Sequence, residues 1–297
     1  MKCIPNFIIV GVARCGTTSL YHYLNQHPEI SLSKIKEPKY FSSIDLALPQ
    51  KGVGDHTVHK RIIKDEKKYD KLYAEFHHHK CVGDASSDCF YYHENVIPRI
   101  KEKLGDVKII VCLRNPVQRA YSAYSNLVRD SRETLSFREA LYNEGDRISK
   151  NWDWMWHYKK GSLYADALSH YQKEFSNIEV VFFEDLTTNV DKVLQRLFSF
   201  LEVDKEIKID VNSQYSYSGK PKNAIFAKLT NRNNFIIFWV RELALKTIPR
   251  KYLEKIALLL FKKEEIDKVV KIELKQFFKE DIEKLEKLTM KNLSSWK

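Results

Sequence analysis

The residues GVARCGTTSL (11–20) have almost the pattern of a phosphate-binding loop. Gly11 and Gly16 keep the glycine spacing of G-x-x-x-x-G-K-[ST], whose lysine contacts the β- and γ-phosphates and whose hydroxyl holds Mg²⁺. Thr17 occupies the position of that lysine. The donors that remain are a guanidinium, loop amides and three hydroxyls, supplied by Arg14, Cys15, Gly16, Thr17, Thr18 and Ser19. Such donors at a helix N-terminus bind phosphate or sulfate oxygens, whereas a tight turn capped by threonine would not account for Arg14.

A second loop with suitable donors is LRNPVQRAYSAY (113–124), which also follows an apolar run. Pro116 favours the first position of a helix. In such a helix Arg119 and Ser122 lie three residues apart on one face, and Arg114 lies just before its start. An arginine and a serine so placed can bind a second phosphate group. The residues alone leave another interpretation open, in which Arg114 pairs with a nearby acid and Ser122 is an ordinary helix residue.

The elements that must position these loops alternate between strands and helices. Apolar runs predict buried strands at residues 7–10, 30–32, 107–113 and 178–183, and helical spacing predicts helices at 17–25, 117–128, 163–175 and 190–201. This alternation predicts an α/β fold with a mainly parallel, P-loop-like sheet flanked by helices. Because ligands of open sheets bind beyond the carboxyl ends of the strands, the loops after Val10, Leu32 and Leu113 are the places to expect a site.

The length and composition predict one domain. The 297 residues include 43% hydrophobic and 12% aromatic residues, which is typical of a packed globular protein. We expect an α/β core over about residues 1–205 and a helical extension over about 221–297, ending in a helix at 268–288. The first apolar run is too short for a signal sequence and no window is long enough for a membrane span, so the sequence predicts a cytoplasmic protein.

Cysteine and histidine usage gives little reason to expect a metal. The five cysteines form no Cys-x-x-Cys pair, which favours reduced thiols over disulfides or a zinc site. Three consecutive side chains at 77–79 cannot converge on one ion, so this histidine run is predicted to lie on the surface. His27, before Pro28, is predicted to end a helix.

The formal charge of +11 favours an anionic ligand or partner. A nucleic-acid-binding protein is one class with this property, but it would interleave basic residues with exposed aromatic residues. The aromatic residues here fall mostly in strand and helix patterns, so we expect no nucleic-acid partner. The tryptophan-rich segment 152–156 could either stack on a sugar or lie in the core.

Three segments together resemble one enzyme family: FIIVGVARCGTTSLYHYLNQHPEI, KEPKYF and VKIIVCLRNPVQRAYSAY. They are similar to the sulfotransferases that use 3′-phosphoadenosine 5′-phosphosulfate (PAPS), particularly the bacterial and heparan-sulfate-type branch acting on carbohydrates. The resemblance implies that the first loop binds the 5′-phosphosulfate, with Arg14 at the family's Lys/Arg position. It also implies that Arg114 and Ser122 bind the 3′-phosphate, that Lys220 and Lys222 of SGKPKN lie in a late loop over the nucleotide, and that no metal is required.

The same resemblance assigns the catalytic residues. Glu37 of KEPKYF matches the acidic residue proposed as the base, and Lys39 stands where this branch often has histidine. For an isolated Glu-Pro pair, a solvent-facing turn is the alternative. Ala85 replaces a lysine common in heparan-type enzymes, which separates this chain from their substrates. If Glu37 is not the base, Asp84 and His22 are the next candidates.

The sequence therefore predicts transfer of a sulfuryl group from PAPS to a hydroxyl of a carbohydrate, with the product 3′-phosphoadenosine 5′-phosphate (PAP). The alternatives are a small-molecule P-loop kinase and the nucleic-acid-binding protein. The threonine at position 17 and the lack of a clear Mg²⁺-binding carboxylate count against the kinase.

Overall fold

The described part of the chain forms a parallel sheet of five strands with helices around it. The computed structural model describes residues 3–46, 51–58, 62–212, 220–221, 261–262 and 265–297. The strands are β1 (Phe7–Gly11), β2 (Ile30–Leu32), β3 (Cys81–Ala85), β4 (Lys108–Leu113), β5 (Ile178–Phe182), β6 (Lys220–Pro221) and β7 (Phe261–Lys262). The helices are α1 (Thr17–Leu24), α2 (Asp55–Val58), α3 (Glu66–Lys71), α4 (His93–Leu104), α5 (Pro116–Arg129), α6 (Phe137–Tyr142), α7 (Glu144–Ser149), α8 (Ala165–Glu174), α9 (Phe183–Thr188), α10 (Val190–Leu201) and α11 (Lys268–Thr289).

The strand order in the sheet is β2-β3-β1-β4-β5, and every neighbouring pair is parallel. The central strands β1 and β4 are buried almost throughout, as expected for continuous apolar runs covered on both faces. The chain leaves β1 toward β2 and leaves β4 toward β5, so the two connections run in opposite directions. Such a switch point opens a crevice between the loops after β1 and β4, and these are the two loops that the sequence singled out.

The predicted α/β class and the helical C-terminal part are confirmed, and each of the four predicted strands is present. Several details were wrong. The sequence pattern did not predict β3, because two of its five residues are Gly83 and Asp84, and glycine and aspartate are uncommon in strands. The strand predicted at 178–183 ends one residue earlier, at Phe182, because Phe183 already begins α9.

The C-terminal helix α11 lies against α5 and α8. It buries one apolar stripe, formed by Val270, Leu274, Phe278, Ile282 and Leu285. The pattern after Pro221 predicted only helix, whereas β6 and β7 pair as a short antiparallel ladder. Within the ranges given above, no helix combines the length and the apolar character that crossing a bilayer requires.

The tryptophan-rich segment belongs to the core rather than to an open surface. Trp154 and Trp156 are buried. Asp55, itself buried, fixes the segment by accepting hydrogen bonds from Trp156 Nε1 at 2.9 Å and from the Asp153 amide at 2.9 Å. The Arg132 guanidinium pairs with the same carboxylate. Stacking of a sugar on these two tryptophans is therefore excluded in this conformation.

Candidate active site

The loop after β1 presents an open helix N-terminus. Gly16 is the N-cap of α1 with φ 94°, so it supplies no side chain to bond the first amides, and the first turn carries no acidic residue. A left-handed conformation of this kind favours glycine. The first amides of any helix lack intrahelical acceptors and lie at the positive end of its dipole. The start of α1 is therefore a site where an anion gains hydrogen bonds without displacing a protein side chain.

Arg14 brings the two predicted loops together. Its Nε donates to Ser122 Oγ at 3.2 Å, and its carbonyl oxygen accepts from Arg114 Nη1 at 3.3 Å. Burial, followed by the charges of Arg129 and Arg114, lowers the pKa of Arg14 to about 9. An anion among these guanidinium groups would offset their mutual repulsion. The local charge thus favours an anionic ligand beside the loop.

The helix after the second loop differs from α1 at its start. The Asn115 side chain accepts from the amides of Val117 at 3.1 Å and Gln118 at 3.2 Å, so the N-terminus of α5 is already capped. This loop can therefore offer side chains rather than amides. Arg114 lies over the Phe183 ring, with Cζ 4.4 Å from the ring centroid, and Ser122 is buried beside Arg14.

Arg119 supports the backbone of the first loop, a role that the sequence did not predict. It shares the helix with Ser122 but is 0% exposed. Its Nε donates to the carbonyl oxygen of Ala13 at 3.2 Å, and its Nη1 lies 3.4 Å from Ser162 Oγ. A charged side chain is rarely buried, so no local pattern could have indicated this contact. Arg119 holds the backbone from which Arg14 projects.

Glu37 lies after β2 in a strained backbone conformation with φ 62°. Its carboxylate accepts from the Ser87 amide at 2.9 Å, from Ser87 Oγ at 2.8 Å and from Lys36 Nζ at 2.6 Å. Burial alone would raise its pKa, but the charges of Lys36 and Lys39 outweigh burial and the net pKa is lowered. Glu37 is therefore a carboxylate at neutral pH, and its side chain stays 24% exposed. It is ionised and within reach of solvent.

Lys39 is held as a cation by acidic neighbours. Burial would lower its pKa, yet Asp88, Glu37 and Asp153 together raise it. Both aspartates are 0% exposed. Each has one carboxylate oxygen, Oδ1 of Asp88 and Oδ2 of Asp153, that finds no hydrogen-bond partner among the described residues. Burial also raises the pKa of Asp153 to about 6. Lys39 is thus suited to donate hydrogen bonds to an anion and unsuited to accept a proton.

Two other residues singled out in the sequence, Asp84 and His27, are buried. Asp84 is fully buried and accepts hydroxyl hydrogen bonds from Ser86 at 2.8 Å, Tyr69 at 2.9 Å and Tyr73 at 3.0 Å. It therefore supports the sheet rather than facing a ligand. His27 is buried, with Nε2 2.8 Å from the Asp204 carbonyl oxygen. It lies three residues beyond Leu24, the last residue of α1, so the prediction that His27 ends the helix was wrong.

Other sequence predictions fall on the surface or beyond the described residues. Of the histidine run predicted to lie on the surface, His77 and His78 are exposed and His79 is half-buried. The five cysteines are free thiols. Of the two late-loop lysines, Lys220 contributes backbone to β6, and Lys222 lies outside the described residues.

Comparison with known proteins identifies the family. A sequence profile described as "Sulfotransferase family" matches residues 5–206. The crystal structure of a sulfotransferase from Alicyclobacillus acidocaldarius is 32% identical, with a TM-score of 0.79, over 99% of this chain and 98% of that chain. The chain belongs to the sulfotransferase family.

Curated relatives carry the same kind of name. The chain is 32% identical over 155 residues to membrane-associated sulfotransferase kil1 of Dictyostelium discoideum. The aligned region covers 50% of this chain and 30% of that protein. It is 23% identical over 276 residues to carbohydrate sulfotransferase 15 of Mus musculus. This second aligned region covers 75% of this chain and 49% of that protein. This chain thus spans at most about half the length of these two relatives.

Proposed function

We propose that this protein transfers a sulfuryl group from PAPS to a hydroxyl group of a carbohydrate. The observation that carries the proposal is the convergence of two anion-binding groups at one crevice: the open N-terminus of α1 with Arg14, and the pair Arg114 and Ser122. A donor with phosphosulfate at one end and a 3′-phosphate at the other matches two such groups. A nucleoside triphosphate with Mg²⁺ matches them less well, because position 17 is threonine.

The donor-binding roles follow from the kinds of hydrogen-bond donor in each loop. The amides of residues 16–19 and the hydroxyls of Thr17, Thr18 and Ser19 suit the 5′-phosphosulfate. The guanidinium of Arg114 and the hydroxyl of Ser122 suit the 3′-phosphate. Arg14 belongs to the first loop and also contacts the second. Its Nε donates to Ser122 Oγ, and its carbonyl oxygen accepts from Arg114 Nη1. It is therefore placed to stabilise the leaving phosphate.

The transfer step uses the loops after β2 and β3. Glu37 accepts the proton of the acceptor hydroxyl while that oxygen bonds to sulfur. The bond from sulfur to the phosphate oxygen breaks, and Arg14 and the α1 amides stabilise the charge that the phosphate gains. Lys39 donates to the sulfuryl oxygens. The Glu37 amide donates to the carbonyl of Ala85 at the end of β3, so Glu37 lies at the same edge of the sheet as the loops after β1 and β4.

A carbohydrate acceptor rests on the relatives rather than on a recognised sugar site. The printed name of the Mus musculus relative is carbohydrate sulfotransferase 15, and the sequence resembles the carbohydrate-sulfating branch. Because identity to that relative is 23%, the acceptor must be determined by assay.

The test uses the whole chain in two assays. In the first, PAP is expected to raise the melting temperature at micromolar concentration without added metal, by mass action on the folded state. Stabilisation by ATP that depends on Mg²⁺, with none by PAP, would instead support the kinase. In the second, PAPS labelled with ³⁵S is offered with a panel of glycans, lipids and small alcohols. Label in a glycan is expected, whereas label only in a lipid or an alcohol would contradict the carbohydrate acceptor.

A further inference from the structure

A separate cluster of metal-ligating side chains lies between α4 and α8, outside the loops of the proposed active site. His93 is the first residue of α4, and Asp166 and His170 lie one turn apart near the start of α8. One ligand atom from each residue lies within 4.8 Å of those from the other two. Ligands of a tetrahedral zinc ion lie roughly 3.3 Å apart at the usual bond lengths. Small side-chain rotations would therefore complete such a site.

His93 and Asp166 lie close enough to bind one cation between them. His93 Nε2 lies 3.2 Å from Asp166 Oδ2, and this buried nitrogen has no hydrogen-bond partner among the described residues. A cation placed between this nitrogen and the carboxylate oxygen would be bound by both atoms.

His170 is oriented in the way that a metal ligand usually is. Its Nδ1 lies 2.9 Å from the backbone carbonyl oxygen of Asp166. A carbonyl oxygen only accepts, so Nδ1 carries a proton, and Nε2 is the ring nitrogen left to bind an ion. Ligating histidines commonly donate their second ring N–H to a backbone carbonyl, which fixes the tautomer and the ring orientation.

We propose that His93, Asp166 and His170 bind one Zn²⁺ ion, or a similar borderline transition-metal ion, and so join the start of α4 to the start of α8. Two imidazoles and one carboxylate suit zinc, whereas Mg²⁺ and Ca²⁺ prefer sites built from oxygen alone. The fourth position is left to water. The site goes beyond the proposed sulfuryl transfer and contributes none of its residues. Its role is to stabilise the contact between these two helices.

The experiment uses untagged full-length protein that has been treated with a chelator and then dialysed. Isothermal titration with ZnCl₂ should show one ion per chain with a dissociation constant in the micromolar range or tighter. At free Zn²⁺ one hundred times that constant, the melting temperature should rise by about 5 °C. His93→Gln and His170→Gln should each weaken binding at least tenfold. The matched control is the double variant His77→Gln with His78→Gln, which removes exposed histidines elsewhere and should bind as the wild type does.

Two results would overturn the proposal: no stoichiometric binding at micromolar Zn²⁺, or binding that is lost in the control variant and kept in His93→Gln. If the site variants do not fold, the wild-type protein decides the matter through Co²⁺. Visible absorption bands of a four-coordinate Co²⁺ ion, competed away by one equivalent of Zn²⁺, support the site, and their absence contradicts it. Neither result depends on whether the protein transfers sulfuryl groups.

Discussion

At the scale of single residues, Glu37 has two properties that a general base needs and one that limits it. It is ionised at neutral pH, and 24% of its side chain is exposed. The three hydrogen bonds from Ser87 and Lys36 also lower its pKa, which makes it a weaker base than one with a pKa near neutrality. Its contribution should lie toward the lower end of the usual range for general bases.

Glu37→Gln should therefore reduce turnover by about 10²-fold while PAP affinity and thermal stability stay near wild type. Glutamine keeps an acceptor for the Ser87 amide and can donate to Ser87 Oγ, but it cannot take up a proton. Turnover in a chemistry-limited assay, the PAP dissociation constant and the melting temperature should be measured on one preparation. Turnover within threefold of wild type would assign the proton to another group, and joint loss of stability and activity would make Glu37 structural.

Substitution of Arg114 tests whether this residue binds the 3′-phosphate end of the donor rather than the 5′ end. Arg114→Ala should weaken PAP binding by about 2–3 kcal/mol, the usual cost of losing a charge-assisted contact. Binding of adenosine 5′-phosphosulfate, which lacks the 3′-phosphate, should hardly change. Arg138→Ala is the control, because Arg138 pairs with Glu273 on the surface and lies in neither loop. Equal losses for both ligands would mean that Arg114 acts through the fold, by its contacts with Phe183 and the Arg14 carbonyl.

At the scale of elements, the two helix starts at the crevice divide the work of holding the donor. The N-terminus of α1 is open and offers amides, whereas that of α5 is capped by Asn115 and offers side chains. The difference depends on one residue, since Gly16 has no side chain that could cap α1. A methyl group added there would lie 2.9 Å from Leu186 Cδ2 and 3.1 Å from Phe183 Cδ2. Gly16 thus sets both the backbone conformation of the loop and its packing on α9.

Gly16→Ala should accordingly lower the free energy of unfolding and weaken PAP binding together. The control is Gly105→Ala, because Gly105 also has positive φ, at 76° with ψ −146°, but a methyl group there meets nothing within 4 Å. The control should lose stability through backbone strain alone and bind PAP as the wild type does. Gly16→Ala should bind PAP at least tenfold more weakly. Urea unfolding and PAP titration of both variants check this, and equal PAP binding by the two would contradict the role of Gly16 in the donor loop.

At the scale of the whole molecule, the sequence predicts what is local and misses what depends on contacts far apart in the chain. The α1 loop and the α5 start are visible because glycine spacing and Pro116 act within a few residues. The buried Arg119 and the joining of His93 to Asp166 and His170 are not, because each depends on packing across many residues. The strand β3 was missed for the same reason, since its place in the sheet comes from pairing with β1 and β2 rather than from its own composition.

One buried carboxylate in that strand connects the fold to pH. Burial raises the pKa of Asp84 to about 6 from its ordinary value of 3.8, although hydroxyls of Ser86, Tyr69 and Tyr73 oppose the rise. Between pH 3.8 and about pH 6 the folded protein binds more protons than the unfolded chain. The protonated Asp84 therefore contributes its full stabilisation below pH 3.8, and this contribution is lost as the pH rises through the folded-state pKa of about 6. Neutral Asp84 should thus favour the fold in mild acid.

Asp84→Asn should remove this dependence, because asparagine stays neutral, can accept from both tyrosines and can donate to Ser86. Relative to wild type, the variant should gain up to about 3 kcal/mol in unfolding free energy between pH 4 and pH 7. Urea unfolding at several pH values across this range measures the difference between the two proteins, in which changes common to both cancel. Asp191→Asn, at an exposed position on α10, should run parallel to wild type. If Asp84→Asn also runs parallel, the carboxyl group of Asp84 is ionised in the folded protein, and its three hydroxyl donors outweigh its burial.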